Sequence, residues 1–392
     1  MLMRVLTICD RYRFGGAADI AREIHTYVNE NTLDESIFLY GWDRYGLYSK
    51  EKRSDIICAN YLGVSHLNAI SSNIIGYNFF PSIERKLDFL IKQADIVHIH
   101  NIHTYGFKYT QIVDIINKYN KKVIITAHDD WYNTGRCSFR KECEVWKKGC
   151  YKCPHMNYYH KSIIDNAKRE RIKKINAFNS INSIVFTAPS QWLVNDLKYS
   201  YPNKEVILIP NGINVSYFNS PDNSSHEKEI NLVLIANNLT DNPKIDYHFL
   251  NSLIDYGCQI HLIGSNSPYN ASNVRNHGFL QNKEDMNEIL QQSDIMLFFS
   301  KIDSFGLILA EALCTGIHIA CSESRAALEV LQNFDKTWLS TPEHFINLLK
   351  DSTFISRIKN NKERERISQK AKIQFDITTM LLGYKKLYNE VD

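Results

Sequence analysis

The chain alternates short apolar runs with helix-patterned stretches, and it does so in two separate series. Runs at 5–9, 35–40, 95–100, 122–127, 183–188 and 206–209 read as buried strands. Helix-period stretches lie between them, near 17–30, 82–93, 108–119, 160–180 and 190–199. A second series of strands begins at 230–236 and continues at 259–263, 295–299 and 318–321. Strands that alternate with helices form parallel sheets covered on both faces, so an α/β fold of two doubly wound domains is expected. Residues 216–229 are the most polar and turn-rich stretch and read as the linker between domains 1–215 and 230–376. A last helix, 377–392, carries Leu381, Tyr384, Leu387 and Tyr388.

Composition narrows the class. At 392 residues the chain is long enough for two cores, and 44% apolar with 23% charged residues is that of a globular protein. A net charge of +3 is too small to argue for nucleic acid as a partner. No apolar run reaches 18 residues, and the N-terminus enters a strand-like Val5-Leu6-Thr7-Ile8-Cys9 without a signal-peptide pattern. Of nine cysteines, Cys9, Cys58, Cys258, Cys314 and Cys321 sit in or near apolar segments, which favours a reducing cytoplasm.

The most informative local stretch is 300–312, directly after the apolar run 295–299. It places Asp303 and Glu311 eight positions apart around a helix start, with Gly316 ending the helix before the next strand. Ligands of open α/β sheets bind beyond the carboxyl ends of strands, where helix N-termini leave amide groups unpaired. The N–H groups of Phe305, Gly306 and Leu307 suit a diphosphate, with Gly306 allowing close approach. Asp303 and Glu311 would then accept hydrogen bonds from hydroxyls on either side, the layout of a nucleotide-sugar.

This stretch resembles the Glu-x7-Glu motif of retaining glycosyltransferases of family four, with Asp303 in the first position. The resemblance implies the GT-B fold, two Rossmann-like domains facing a central cleft. It also implies that Asp303 holds hydroxyls of the donor sugar and Glu311 the ribose. Further residues follow from it. Gly15 and Gly16, at the first strand-to-helix turn, would line the cleft, Gly15 towards acceptor and Gly16 towards donor. His128 at the end of strand 122–127 would face the transferring sugar, and a histidine at a strand's carboxyl end is already a functional location. Asp129 and Trp131 beside it are the acceptor candidates. Lys244 matches one half of the family's cationic diphosphate clamp, while Asn237 or Asn238 stands in the region of the other half. Arg325, after the strand 318–321, is the candidate substitute. The terminal helix would cross back to the N-terminal domain. No Asp-x-Asp-like motif sits at a strand end, so no cofactor is expected for catalysis.

Cys137-x5-Cys143-x6-Cys150-x2-Cys153 concentrates four cysteines in the insertion 136–155. Four thiolates make a closed tetrahedral zinc site, and the last pair has knuckle spacing. A structural zinc, two disulfides and independent thiols are the competing readings. A subgroup of bacterial enzymes of the family making surface polysaccharides shows a similar segment. Beyond it, 155–179 contains Tyr158, Tyr159, Lys161, Lys168, Arg169, Arg171, Lys173 and Lys174. This stretch reads as a solvated helix or as a basic, aromatic surface for anionic lipid at the inner face of the membrane. The expected partners are a UDP- or GDP-sugar donor and a glycan or lipid-linked acceptor. Two other readings stay open: a catalytically silent nucleotide-sugar-binding protein, and a zinc-containing nucleic-acid-binding protein.

Overall fold

The computed structural model describes residues 2–13, 15–41, 53–60, 63–157, 161–221 and 230–390. The chain divides into two compact units, one of Met1–Pro210 with Met380–Asp392, the other of Asn211–Thr379.

The first unit contains β1 (Arg4–Cys9), α1 (Gly16–Asn31), β2 (Glu35–Tyr40), β3 (Ile56–Cys58), α2 (Val64–Ile75), α3 (Glu84–Gln93) and β4 (Ile96–Ile99). It continues with α4 (Tyr109–Lys118), β5 (Lys122–Thr126), α5 (Ala167–Asn179), β6 (Ile184–Ala188), α6 (Gln191–Ser200) and β7 (Glu205–Leu208). Its seven strands run in the order β3-β2-β1-β4-β5-β6-β7, and all pairs are parallel. Every residue of β4 and β6 is buried, as expected where helices cover both faces of a sheet.

The second unit contains β8 (Asn231–Asn238), α7 (Tyr247–Tyr256), β9 (Gln259–Ser265), β10 (Val274–Gly278), α8 (Lys283–Gln292), β11 (Ile295–Phe298), α9 (Leu307–Cys314), β12 (His318–Cys321), α10 (Arg325–Val330) and β13 (Lys336–Trp338). Helices α11 (Pro342–Leu348), α12 (Ser352–Ile358) and α13 (Asn361–Phe375) follow. Its order is β10-β9-β8-β11-β12-β13, again parallel. In both sheets the winding reverses once, between β1 and β4 and between β8 and β11. Such reversals separate the flanking loops and open a crevice at the strands' carboxyl ends.

Several boundaries differ from the sequence reading. The division falls at Pro210 and Asn211, not after residue 215. Phe218, placed in the linker by its polar surroundings, is buried in the second unit's core near Ile213. Residues 222–229 of that stretch lie outside the described residues. Strands β3, β10 and β13 were not expected; each lies at a sheet edge and is only three to five residues long, β3 being apolar but just three half-buried residues, and β10 and β13 being no continuous apolar run. The helix expected over 160–180 begins only at Ala167, because Asp165 Oδ1 accepts the Ala167 N–H in a local turn. The final helix, α14 (Ile377–Glu390), joins the first unit from Met380 onward.

Candidate functional site

In the second unit the candidate residues gather at the β8/β11 reversal. Gly306 caps α9 at φ 80°, a left-handed conformation that glycine adopts without a Cβ penalty. No side chain caps this helix end, the kind of start whose first-turn amides suit an anion. Phe305 is buried against Phe375 and belongs to the core. Asp303, on the loop before the helix, pairs with Lys244 on the loop after β8, Nζ to Oδ1 at 2.5 Å. Lys244 is positioned by the asparagines around it. Asn242 Oδ1 accepts its N–H at 3.0 Å, and Asn242 Nδ2 donates to the Asn238 carbonyl at 2.7 Å. Asn238 thus folds the loop and supplies no charge.

Glu311 lies one turn into α9, which starts at Leu307. Its side chain is buried, and Lys283 Nζ forms an ion pair with Oε1. Sequence reasoning missed Lys283. One signal was present: it is the first residue of α8, just after the cap Asn282, where a cation opposes the helix dipole and needs another reason to be there. Arg325 occupies the same unfavourable position at the start of α10, exposed beyond the end of β12. The second unit therefore holds two carboxylates, each with a lysine, on either side of an uncapped helix start. That set suits a diphosphate flanked by hydroxyl-bearing groups.

In the first unit a buried polar chain runs across the strand ends. Tyr388 of α14 meets His98 Nδ1 at 2.7 Å, and His98 Nε2 meets Thr126 Oγ1 at 2.8 Å. Thr126 continues to Thr187 at 2.8 Å and to Tyr384 at 2.9 Å. Beside it, His100 Nδ1 and His128 Nε2 lie 2.8 Å apart with stacked rings. One imidazole must donate and the other accept, so this contact fixes complementary tautomers when both rings are neutral. Burial favours neutrality: it lowers His128 to about 4 and His98 to about 3, and drives His100 well down. His128 is thus a neutral hydrogen-bonding group at neutral pH.

Gly15 precedes α1 at φ 98°, with open space around the position of a Cβ, and Gly16 is exposed. Asp129 and Trp131 are placed differently from expectation. Trp131 is buried among His103, Tyr109, Tyr132 and Phe178, with Lys174 Nζ 3.6 Å from its ring centre. Its ring is therefore core and not a stacking face for an acceptor. Asp129 is buried as well, accepting the Trp131 N–H at 2.9 Å and pairing with His103 at 3.1 Å. Both follow a strand that ends inside the protein, so local sequence made them look more accessible than they are.

The four cysteines of the insertion line one small cavity together with Arg136, Trp146 and His155. Cys137 and Cys153 share a hydrogen bond, which raises the Cys137 thiol and lowers that of Cys153, with the Arg136 guanidinium helping the latter. Cys150 Sγ accepts the Gly135 N–H at 3.2 Å. All four are free thiols. Among the described residues no group of three or more His, Cys, Asp or Glu side chains is arranged to hold a metal ion as they stand. Lys174, expected on a basic surface, is instead buried, donating to the carbonyls of Trp131, Thr134 and Gly135 at 2.6–3.3 Å. Burial lowers it to about 7. Tyr158 and Tyr159 lie outside the described residues.

Known proteins agree with this architecture. The profile of Glycosyltransferase Family 4 matches residues 14–217, and that of Glycosyl transferases group 1 matches 267–374. The chain is 28% identical over 347 residues to WcaC of Escherichia coli (strain K12), which carries the name of a colanic acid biosynthesis glycosyl transferase; the match covers 84% of this chain and 85% of WcaC. Among solved structures, WaaG, a glycosyltransferase involved in lipopolysaccharide biosynthesis, superposes with a TM-score of 0.66 at 13% identity, covering 98% of this chain and 99% of WaaG. HepE of Anabaena, solved with UDP-glucose, gives 0.64 at 11% identity over 99% of each chain. The chain belongs to glycosyltransferase family 4 and has the two-Rossmann GT-B fold.

Proposed function

We propose that this glycosyltransferase works in the cytoplasm with retention of the donor's anomeric configuration, independently of a metal at the donor. It moves a sugar from a UDP- or GDP-sugar to a hydroxyl of a glycan or lipid-linked oligosaccharide during surface polysaccharide assembly. One observation carries the reading: Asp303 and Glu311, each with a lysine partner, flank the uncapped start of α9. The likeness to WcaC supports the polysaccharide setting, and the UDP-glucose held by HepE supports the donor class.

In this reading the amides at the start of α9 and Lys244 take the diphosphate, and Glu311 accepts from the ribose. Asp303 orients the sugar and His128 hydrogen-bonds its other edge. Arg325 stands as a further donor contact, and Gly15 and Gly16 leave room for acceptor and donor. The acceptor oxygen attacks the anomeric carbon from the face the phosphate leaves. As the new C–O bond forms, the bond to the phosphate oxygen breaks with its electron pair, and that oxygen takes the acceptor's proton. Lys244 and the helix N-terminus stabilise the charge developing there. The test is turnover of UDP- and GDP-sugars in EDTA, with the anomeric configuration of the product read by NMR. An inverted product refutes retention, and abolition of turnover by EDTA refutes metal independence.

We also propose, from the four thiols around one cavity and their spacing, that Cys137, Cys143, Cys150 and Cys153 take up a structural zinc. Hydrogen bonds around Cys153 favour its thiolate, whereas burial raises the Cys150 thiol despite the N–H it accepts and the shared hydrogen bond raises Cys137, so the ion itself must draw the proton from these two. The sulfurs must draw together to bind it, since they do not present a ready ligand set.

A further inference from the structure

Helix α2 is built inside out. It carries no charged residue, and the side chains it buries are polar: Ser65, Asn68 and Ser72. Its exposed face presents Leu67, Ile70 and Ile74, which are 45%, 57% and 41% exposed. These positions are three and four apart, so they form one stripe. Hydrogen bonds hold the polar face in place of apolar packing. Asn68 donates to the carbonyls of Phe80 and Tyr105 at 3.1 and 3.2 Å and accepts the Phe80 N–H at 2.8 Å.

The stripe does not end with the helix. The N–H groups of Ile163 and Ile164 donate to the carbonyls of Asn73 and Ile74 at 3.1 and 2.9 Å, which lays this segment along the end of α2. Ile163 is 81% exposed and Ile164 is 48% exposed. Phe79, in the loop after the helix, is also exposed, with Lys108 Nζ 5.6 Å from its ring centre. Isolated surface apolar residues need no explanation, but a contiguous set on adjoining elements marks a contact surface.

Charge identifies what the surface contacts. Lys161, Lys168, Arg169 and Lys173 are exposed on the same segment and on α5. Lys173 Nζ lies 5.4 Å from the ring of Tyr77, and Asn166 Nδ2 donates to the Ile75 carbonyl at 3.1 Å, so α5 begins beside the end of α2. The exposed acid among them is Asp165, whose carboxylate accepts the Cys153 and Ala167 N–H groups. An uncharged apolar stripe bordered by basic side chains matches a bilayer interface with anionic headgroups. No helix among the described residues is long and apolar enough to cross a membrane, so the contact is peripheral. We propose that this face of the first unit, α2 with 161–164 and the start of α5, docks on an anionic lipid surface.

The experiment is co-sedimentation of the full chain with vesicles of pure phosphatidylcholine and of phosphatidylcholine containing 30% phosphatidylglycerol, at low and high salt. Binding to the anionic vesicles alone, weakened by salt, is expected. The variant L67Q/I70Q/I74Q should lose at least tenfold in partitioning, and K168E/R169E should lose a similar factor while keeping its circular dichroism spectrum. Nucleotide binding in both variants should equal that of the parent, because the donor site lies in the other unit. Sedimentation with neither vesicle, or equally with both, overturns the proposal. So does a concentration-dependent dimer that L67Q/I70Q/I74Q abolishes without any vesicle binding, which would assign the stripe to a second copy of the chain. Failure of the parent chain to bind UDP or GDP, with vesicle binding intact, would instead count against the donor-site reading alone.

Discussion

Gly306→Ala tests the donor site most directly, because its structural cost can be separated from its functional one. Gly306 sits at φ 80°, and an added Cβ would meet the Leu309 Cδ1 at 3.2 Å and the Phe298 Cζ at 3.5 Å. Both are ends of side chains, so the steric part is small and the left-handed backbone dominates. Forcing alanine into that region costs about 1–2 kcal/mol. Gly257, which caps α7 at φ 95° with no atom within 4 Å of its would-be Cβ, is the matched control. Gly257→Ala should cost a similar amount with no effect on ligand. For a unit of this size, 1 kcal/mol moves the melting temperature by roughly 2–4 °C, so both variants should melt about 2–8 °C lower. Relaxation of the backbone at Gly306 also re-aims the first amides of α9. Losing one charge-assisted hydrogen bond to phosphate, worth roughly 1.5 kcal/mol, weakens nucleotide binding about tenfold. Titration calorimetry with UDP and GDP reads the affinity, and scanning calorimetry reads the stability. If the two variants melt alike and bind nucleotide alike, the start of α9 is not the phosphate site.

The lysine partners give a second test. Glu311→Gln should weaken nucleotide binding about tenfold, and Lys283→Met should weaken it several-fold, more at low salt; unchanged affinity in both would remove Glu311 from the site. Because the Lys283 side chain is 43% exposed, its loss should cost less than about 1 kcal/mol of stability. For the cysteines, metal analysis of protein purified under reducing conditions should find about one zinc per chain, and less than about half an equivalent would reject the site. The histidines predict acid sensitivity. Burial holds His98 at about 3, whereas the unfolded imidazole titrates near 6.5. The unfolded chain therefore binds more protons between these values, and stability falls as pH drops from about 6.5 towards 3. At pH 5 the loss from this one group reaches at most about 2 kcal/mol. His98→Gln should flatten the dependence of melting temperature on pH, and an unchanged slope would refute the assignment.

The sheets were legible in the sequence because their central strands are buried on both faces and read as continuous apolar runs. Edge strands β10 and β13 carry no such run, and β3 is an apolar run of only three half-buried residues, so these escaped notice. Helix α2 was missed for a different reason: its buried positions are Ser65, Asn68 and Ser72, so its apolar periodicity points the wrong way for a core helix. At the donor site, Asp303, Gly306 and Glu311 were visible because one local turn sets their spacing. Lys283 comes from a helix that reaches Glu311 only through the tertiary fold, and spacing cannot reveal it. Trp131 shows the opposite limit: its place after a strand end suggested access, and only packing shows that Phe178 and Lys174 enclose it.

The docking of Tyr384 and Tyr388 onto Thr126 and His98 has a consequence for biogenesis. A ribosome releases the seven strands of the first unit long before it makes the helix that supplies these two hydroxyls. Until residues 380–390 emerge, His98, Thr126 and Thr187 lack the partners that α14 gives them. The first unit to be translated is thus completed only after the second, and a stop codon near residue 380 would leave its tyrosine partners missing while sparing its neighbour.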